Sequence, residues 1–203
     1  MAAPSLSLFI VASVGLILAP GPDTIYVLTR GVSDGRRAGL LSAAGISTGI
    51  LVHTLGAVLG LSVLLQTSAT AFSIVKYAGA LYLIYLGIQT FLDDEPLTIE
   101  DDDESDHSYL QGVAINVLNP KVALFFLAFL PQFVDSATAT GQFLLLGGIY
   151  AVLTLTYLTT VAFLSGRVRA LLAARPSLNR GLRWVTSSIF VALGARLAVG
   201  DHF

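Results

Sequence analysis

Two short polar motifs interrupt apolar runs of this sequence and place charged side chains where a helix must break. The first is Pro20-Gly21-Pro22-Asp23, which separates the apolar residues 6–19 from residues 24–28. Fourteen residues of helix rise about 21 Å, whereas the hydrocarbon core of a bilayer is about 30 Å thick. A membrane span must therefore continue through the motif, where proline has no N–H to donate and glycine is a weak helix former. Such a break is tolerated where its backbone is buried in protein or lines a cavity.

The second motif, Asn119-Pro120-Lys121, interrupts the apolar residues 110–130 in the same way. Lys121 follows Pro120 as Asp23 follows Pro22, so an alignment of the two breaks puts a base and an acid at equivalent positions. We expect both side chains to approach a common central site.

Each charged residue has two interpretations. Asp23 suits a helix N-cap, but a carboxylate inside a membrane can instead bind a cation, a proton or a substrate ammonium group. Lys121 is either a counter-charge for a substrate carboxylate or for Asp23, or it extends along its flexible stem to the membrane interface. Asn116 and Asn119 flank the second break, where we expect them to satisfy freed backbone groups and one of them to touch substrate.

A stripe of small residues on the second span surrounds a single histidine. Gly45, Gly49, His53, Gly56 and Gly60 recur every three or four positions, which predicts one helical face packed against protein. His53 on that face either couples transport to protons or hydrogen-bonds a neighbouring helix.

Two tyrosines share one face of the third span. Tyr82 and Tyr85 are predicted either to line a pathway or to lie in an interfacial belt.

The composition indicates an integral membrane protein. Of 203 residues, 55% are hydrophobic and only 12% are charged, against about 25% in soluble domains. There is no cysteine, and histidines at 53, 107 and 202 are too scattered for a metal site, so neither metal nor cofactor is predicted. Phosphate-loop, nucleophile-elbow and zinc-protease motifs are absent from the sequence, which argues against an enzyme. The arginine-rich links are explained by membrane topology, and no nucleic-acid partner is expected.

Six transmembrane helices are predicted, at residues 6–28, 40–65, 69–91, 110–133, 142–165 and 182–199. Each half of the chain then contains a broken helix followed by two continuous ones. Because three spans invert the second half relative to the first, the sequence predicts an all-α membrane protein with two inverted three-helix repeats, an architecture of secondary transporters. The repeats occupy residues 1–92 and 109–203, joined by an acidic loop at 93–108.

The arginines set the predicted orientation. They cluster around the first and fifth links, which the positive-inside rule places in the cytoplasm. The acidic loop, with nine of the thirteen acids, lies on that side, and both termini lie outside the plasma membrane.

Several of these motifs together resemble the LysE/RhtB family of amino-acid exporters. They include the Pro-Gly-Pro-Asp at 20–23, the run Gly79-Ala-Leu-Tyr-Leu-Ile-Tyr-Leu-Gly87, and Asn116-Val-Leu-Asn-Pro-Lys121 with Phe125-Phe126 and Leu130-Pro131-Gln132-Phe133 after it. The resemblance implies a multi-pass plasma-membrane efflux carrier for amino acids, driven by an ion gradient of protons or sodium. A homo-oligomer is compatible with it.

A small neutral amino acid, such as homoserine, threonine or leucine, is the expected substrate because the spans offer one acid, and a basic side chain would require another. The alternatives are export of basic amino acids, export of a divalent cation such as cadmium, and a membrane scaffold without transport activity.

Overall fold

Helices make up the part of the chain that the structure describes. The computed structural model describes residues 3–61, 69–92, 107–135, 138–174 and 176–199, and no β-strand occurs within these ranges. The helices are α1 (Ala3–Leu18), α2 (Pro22–Ser33), α3 (Arg36–Gly56), α4 (Ala69–Leu92), α5 (Ser108–Val117), α6 (Pro120–Leu124), α7 (Ala139–Ala174) and α8 (Pro176–Val199). A π-helical turn, Ala57–Leu61, extends α3, and α6 continues through a π turn, Phe125–Phe129, and a 3-10 turn, Leu130–Phe133. The predicted all-α class is confirmed.

Both predicted helix breaks are present. Helices α1 and α2 are bent by 51° across residues 19–21, and the helices on either side of the second break are bent by 48°. Pro22 begins α2 and Pro120 begins α6, the position at which a missing N–H removes no helical hydrogen bond. The prolines therefore act as start signals for the second half of each broken helix.

Four candidate spans are long and apolar enough to cross a bilayer, when each bent pair counts as one span and α3 and α7 are the other two. Helices α4 and α8, with 24 residues each, correspond to the remaining predicted spans. The count of six spans and the repeat boundaries at 1–92, 93–108 and 109–203 stay predictions. Residues 93–106 of the acidic loop and residues 62–65 of the second span lie outside the described residues.

Two helices are longer than the spans predicted from apolar content. Helix α7 runs to Ala174 and α8 begins at Pro176, so both extend into the arginine-rich link. Arginine is a good helix former, and a helix therefore does not stop where its apolar run ends.

Glycines allow the closest approaches between helices. A Cβ atom on Gly45 would overlap the carbonyl of Tyr109, which brings α3 directly against α5. Between α4 and α8, a Cβ on Gly194 would lie 2.8 Å from the Ala80 carbonyl, and Ser187 Oγ donates to the Gly87 carbonyl at 2.6 Å. Backbone contacts of this kind are typical of helices packed in membranes.

The predicted glycine stripe is correct over its first half only. Gly45 and Gly49 pack against α5, whereas Gly56 and Gly60 are exposed and have open space around them. Helix α5 ends at Val117, and its residue Asn116 already lies opposite Gly49. The later glycines therefore extend past the end of α5.

Candidate substrate site at the paired breaks

Asp23 lies buried in the first turn of α2, with 7% of its surface exposed. Gly21 occupies the N-cap position and no side chain caps this helix, so Asp23 is not the capping residue. Its Oδ2 atom accepts a hydrogen bond of 2.9 Å from Asn116 Nδ2, on the helix that precedes the other break. Its Oδ1 atom has no hydrogen-bond partner. A carboxylate near a helix N-terminus is electrostatically favoured, and here half of its accepting capacity is unused.

Asn116 connects three parts of the site. A Cβ atom on Gly49 would lie 2.8 Å from the Asn116 side chain, so a glycine is needed to leave it room. The Asn116 carbonyl, which loses its usual helical donor because Pro120 stands four residues later, accepts from Asn119 N at 3.0 Å and from His53 Nε2 at 3.2 Å. Since a carbonyl only accepts, His53 Nε2 carries the hydrogen of this bond.

Lys121 donates to backbone carbonyls at the first break, as His53 does at the second. Its Nζ atom donates to the carbonyls of Ala19 at 3.1 Å and Leu16 at 3.3 Å. Leu16 stands four residues before Pro20, so its carbonyl also lacks the helical donor. Lys121 is 7% exposed, and this buried position favours a role at the break over the interpretation in which it extends to the membrane interface.

Asp23 and Lys121 are neighbours without direct contact. The two charges interact electrostatically but are too far apart for an ion pair. The ion pair found within the described residues joins Arg30 to Asp34. Both charged groups of the breaks are instead held by neutral partners, Asp23 by a carboxamide and Lys121 by backbone carbonyls.

Asn119 caps the helix that follows the second break. Its Oδ1 atom accepts from the backbone N–H of Lys121 at 3.0 Å, as expected for an asparagine at a helix start. This bond identifies the other side-chain atom as Nδ2, which has no hydrogen-bond partner although Asn119 is buried.

A cluster of aromatic side chains lies beside the breaks, and the sequence analysis did not predict it. Tyr150 on α7 is almost fully buried, stacks on Phe125 at 4.7 Å and meets Phe126 edge-on at 5.7 Å. Phe126 also stacks on His53 at 5.6 Å, and Asp23 is near enough to Tyr150 to interact electrostatically. A tyrosine in the middle of an apolar span was the available signal, because its hydroxyl needs a polar environment when buried.

Tyr82 and Tyr85 are not brought to this site by the described contacts. Their rings lie 5.9 Å apart on α4, and Tyr85 is 56% exposed. Their pathway role stays a prediction, and the exposure of Tyr85 favours the interfacial alternative.

A second polar cluster joins α2 to α5, toward the turn between α2 and α3. Arg30 is 1% exposed and donates to Asp34 Oδ2 at 2.9 Å and to Gln111 Oε1 at 2.7 Å. The same Gln111 atom accepts from the Tyr26 hydroxyl at 2.8 Å, and this hydroxyl also contacts the carbonyl of Ser108. Arg30, near the first link, is thus part of a buried network.

These features define a class of protein: a helical multi-pass membrane protein with buried charges at two paired helix breaks, as in secondary transporters. The profile of the LysE type translocator family matches residues 14–201, and the chain belongs to this family.

Two similar proteins have names that describe a transport activity. The homoserine/homoserine lactone efflux protein of Salmonella typhimurium is 31% identical over 198 residues, which cover 96% of each chain. The leucine efflux protein of an Enterobacter species is 31% identical over 196 residues, which cover 94% of this chain and 93% of that protein. No solved structure matches the chain.

Proposed function

We propose that this chain exports small neutral amino acids across the plasma membrane, and that Asp23 receives the substrate ammonium group at the first helix break. The observation that carries the proposal is the buried carboxylate with one unpartnered oxygen. Family membership supports it, as do two relatives whose names specify homoserine and leucine efflux. A neutral side chain is preferred because a basic one would need a second acid, and Asp23 is the acid found at the breaks.

An ion gradient drives the export in this proposal. Asp23 and His53 are the proposed coupling groups, joined through Asn116, which donates to the first and accepts from the second. Nε2 of His53 is engaged by the Asn116 carbonyl, so a coupling proton would be exchanged at Nδ1. Sodium is the alternative coupling ion.

Export of an amino-acid panel from cells that express the protein tests this function. We expect homoserine, threonine or leucine to leave the cells faster than lysine or arginine, and we expect dissipation of the pH gradient to slow that export. Equal export by expressing cells and by cells with an empty vector, for every member of the panel, would contradict the proposal.

A further inference from the structure

Three buried side-chain atoms at the breaks have no hydrogen-bond partner, Asp23 Oδ1, Asn116 Oδ1 and Asn119 Nδ2, and the first and last of them are complementary to the two ends of an amino acid. Asp23 Oδ1 is an acceptor and Asn119 Nδ2 is a donor, and both residues are more than nine-tenths buried. Buried side-chain polar atoms almost always have a hydrogen-bond partner, so atoms left without one are available to a ligand. Asn116 lies between them, because its side chain bonds Asp23 and its carbonyl accepts from the backbone of Asn119.

The donor capacity of Lys121 is mostly occupied. An ammonium group has three N–H donors, and two of them are engaged by the Leu16 and Ala19 carbonyls. The first of these carbonyls is the one that Pro20 leaves without a helical donor. The cation also lies at the C-terminal end of α1, where the helix dipole favours positive charge. The local structure thus accounts for Lys121 without any substrate.

We infer that Lys121 is a positioning residue that braces the first break, and that the substrate is held by Asp23 Oδ1 at its ammonium group and by Asn119 Nδ2 at its carbonyl oxygen. This inference rests on the proposed amino-acid export and specifies how the same site recognises its substrate.

The consequence concerns the substrate class. A neutral carboxamide donor binds the carbonyl oxygen of an amide, an ester or a lactone as it binds a carboxylate oxygen. The site therefore requires an ammonium group and an adjacent carbonyl oxygen, but not a negative charge. The name of the Salmonella relative, which includes a lactone beside the free amino acid, agrees with this requirement.

Counterflow into proteoliposomes with matched substrate pairs tests the inference. The pairs are leucine with leucinamide and homoserine with homoserine lactone, measured near pH 6 because the amino groups then stay charged. We expect the wild-type protein to carry both members of at least one pair, after subtraction of protein-free liposomes. Transport of the free amino acids alone would overturn the inference and leave the proposed export intact, whereas transport of neither member of either pair would contradict the proposed export itself.

The Lys121→Met variant distinguishes a residue that only positions the first break from one that binds the substrate carboxylate. If Lys121 only positions the break, transport of the amino acid and of its amide or lactone partner falls by the same factor, so that the ratio of the two rates is unchanged. A loss confined to the free amino acid would show that Lys121 binds the carboxylate.

Gly21→Ala repeats the test with the charge retained and covers the case in which Lys121→Met does not fold. The added Cβ atom would lie 3.0 Å from Lys121 Nζ, so the ammonium group must shift by a few tenths of an ångström relative to the two carbonyls. We expect the same parallel loss, while Gly141→Ala, at a glycine surrounded by open space, serves as the matched control and transports normally.

Asn119→Asp examines the proposed donor. Aspartate keeps the oxygen that caps the following helix but replaces the N–H donor with a negative oxygen. We expect the ratio of leucinamide to leucine transport to rise about tenfold, or about 1.4 kcal/mol, because the new carboxylate repels the carboxylate of leucine but accepts a hydrogen bond from the amide NH2 of leucinamide. An unchanged ratio would remove Asn119 from the substrate contacts.

Discussion

Proline explains why side chains from distant helices meet at the breaks. Pro20 leaves the Leu16 carbonyl without its helical donor at the first break, and Pro120 does the same to the Asn116 carbonyl at the second. Lys121 and His53 supply donors to these carbonyls from other helices. An unsatisfied carbonyl is costly in a bilayer, so these contacts stabilise the broken conformation and fix the neighbouring Asp23.

Gly49 is predicted to control the position of Asn116. In Gly49→Ala the new Cβ atom overlaps the Asn116 side chain, and we expect a loss of about 1–3 kcal/mol of stability together with slower transport. Gly56→Ala is the control on the same helix, where no atom lies within 4 Å and alanine favours the helix by about 1 kcal/mol. Thermal unfolding in detergent measures both variants, and equal stabilities would contradict the predicted overlap.

The His53→Gln variant is predicted to retain substrate exchange but to lose the coupling of transport to a pH gradient. Glutamine retains an N–H that can donate to the Asn116 carbonyl but cannot take up a proton at physiological pH. We expect counterflow without a gradient to persist and accumulation driven by a pH gradient to be lost, with the exposed His107→Gln as control. Full pH-driven accumulation by His53→Gln would exclude this histidine from coupling.

Helices α2 and α5 are held together by polar contacts at two depths. Asp23 and Asn116 pair near the breaks, and Arg30, Tyr26 and Gln111 form a network farther along the same two helices. We expect this network to close the path between the breaks and the α2–α3 turn in this conformation. Export requires the substrate to pass both ends of the site, so we expect this contact to open during the cycle.

Gln111→Ala tests this closure. The substitution removes the acceptor shared by Arg30 and Tyr26 but leaves Arg30 paired with Asp34. Because the chain has no cysteine, a single Thr24→Cys beside the break reports access by its rate of reaction with a membrane-impermeant thiol reagent. We expect Gln111→Ala to make labelling severalfold faster from the face that carries Arg37, which is exposed beside the α2–α3 turn.

Gln142→Ala is the matched control for this experiment, since Gln142 makes exposed contacts at the start of α7. A separate Arg37→Cys variant identifies the face. Unchanged labelling in Gln111→Ala, or faster labelling from both faces, would contradict a closure at the α2–α5 contact.

The helices and their breaks could be predicted because their signals are local. Pro22 and Pro120 mark the breaks within a few residues, and Gly45 and Gly49 correctly indicated a close helix neighbour. The failure at Gly56 arose because spacing describes one helix and contains nothing about where its partner ends.

The site could be predicted in part for the same reason. The breaks indicated Asp23, Asn116 and Lys121, yet the bond between the first two spans 93 residues of sequence. The bracing of the Leu16 carbonyl and the roles of Tyr150 and Gln111 depend on contacts across similar separations, which no local pattern specifies.

Across the whole molecule, the two breaks stabilise each other. A side chain that precedes the second break holds Asp23 after the first, and Lys121 after the second break holds carbonyls that precede the first. Helices α4 and α8, the last of each predicted repeat, also pack together through Gly87 and Gly194. The inverted repeat itself stays a prediction.

Removal of residues 93–106 is predicted to leave export intact. The segment contains nine acids, and a run so charged does not form a packed core. The hydrogen bonds described for Asp23, Asn119 and Lys121 at the breaks join residues within 16–23 and 116–121. Export by cells that express the deleted protein, corrected for the amount in the membrane, measures this, and complete loss would favour the scaffold alternative.

Transport by Asp23→Asn tests the role of the buried carboxylate in substrate recognition. Purified wild-type, Asp23→Asn and Asp135→Asn proteins are compared in counterflow of the best-exported neutral amino acid, with the exposed Asp135 as matched control. We expect Asp23→Asn to lose at least about tenfold in transport, since a hydrogen bond to a charged group contributes about 1.5–3 kcal/mol. The control should match the wild type. Wild-type counterflow by Asp23→Asn would contradict the assignment of the ammonium site to the first break.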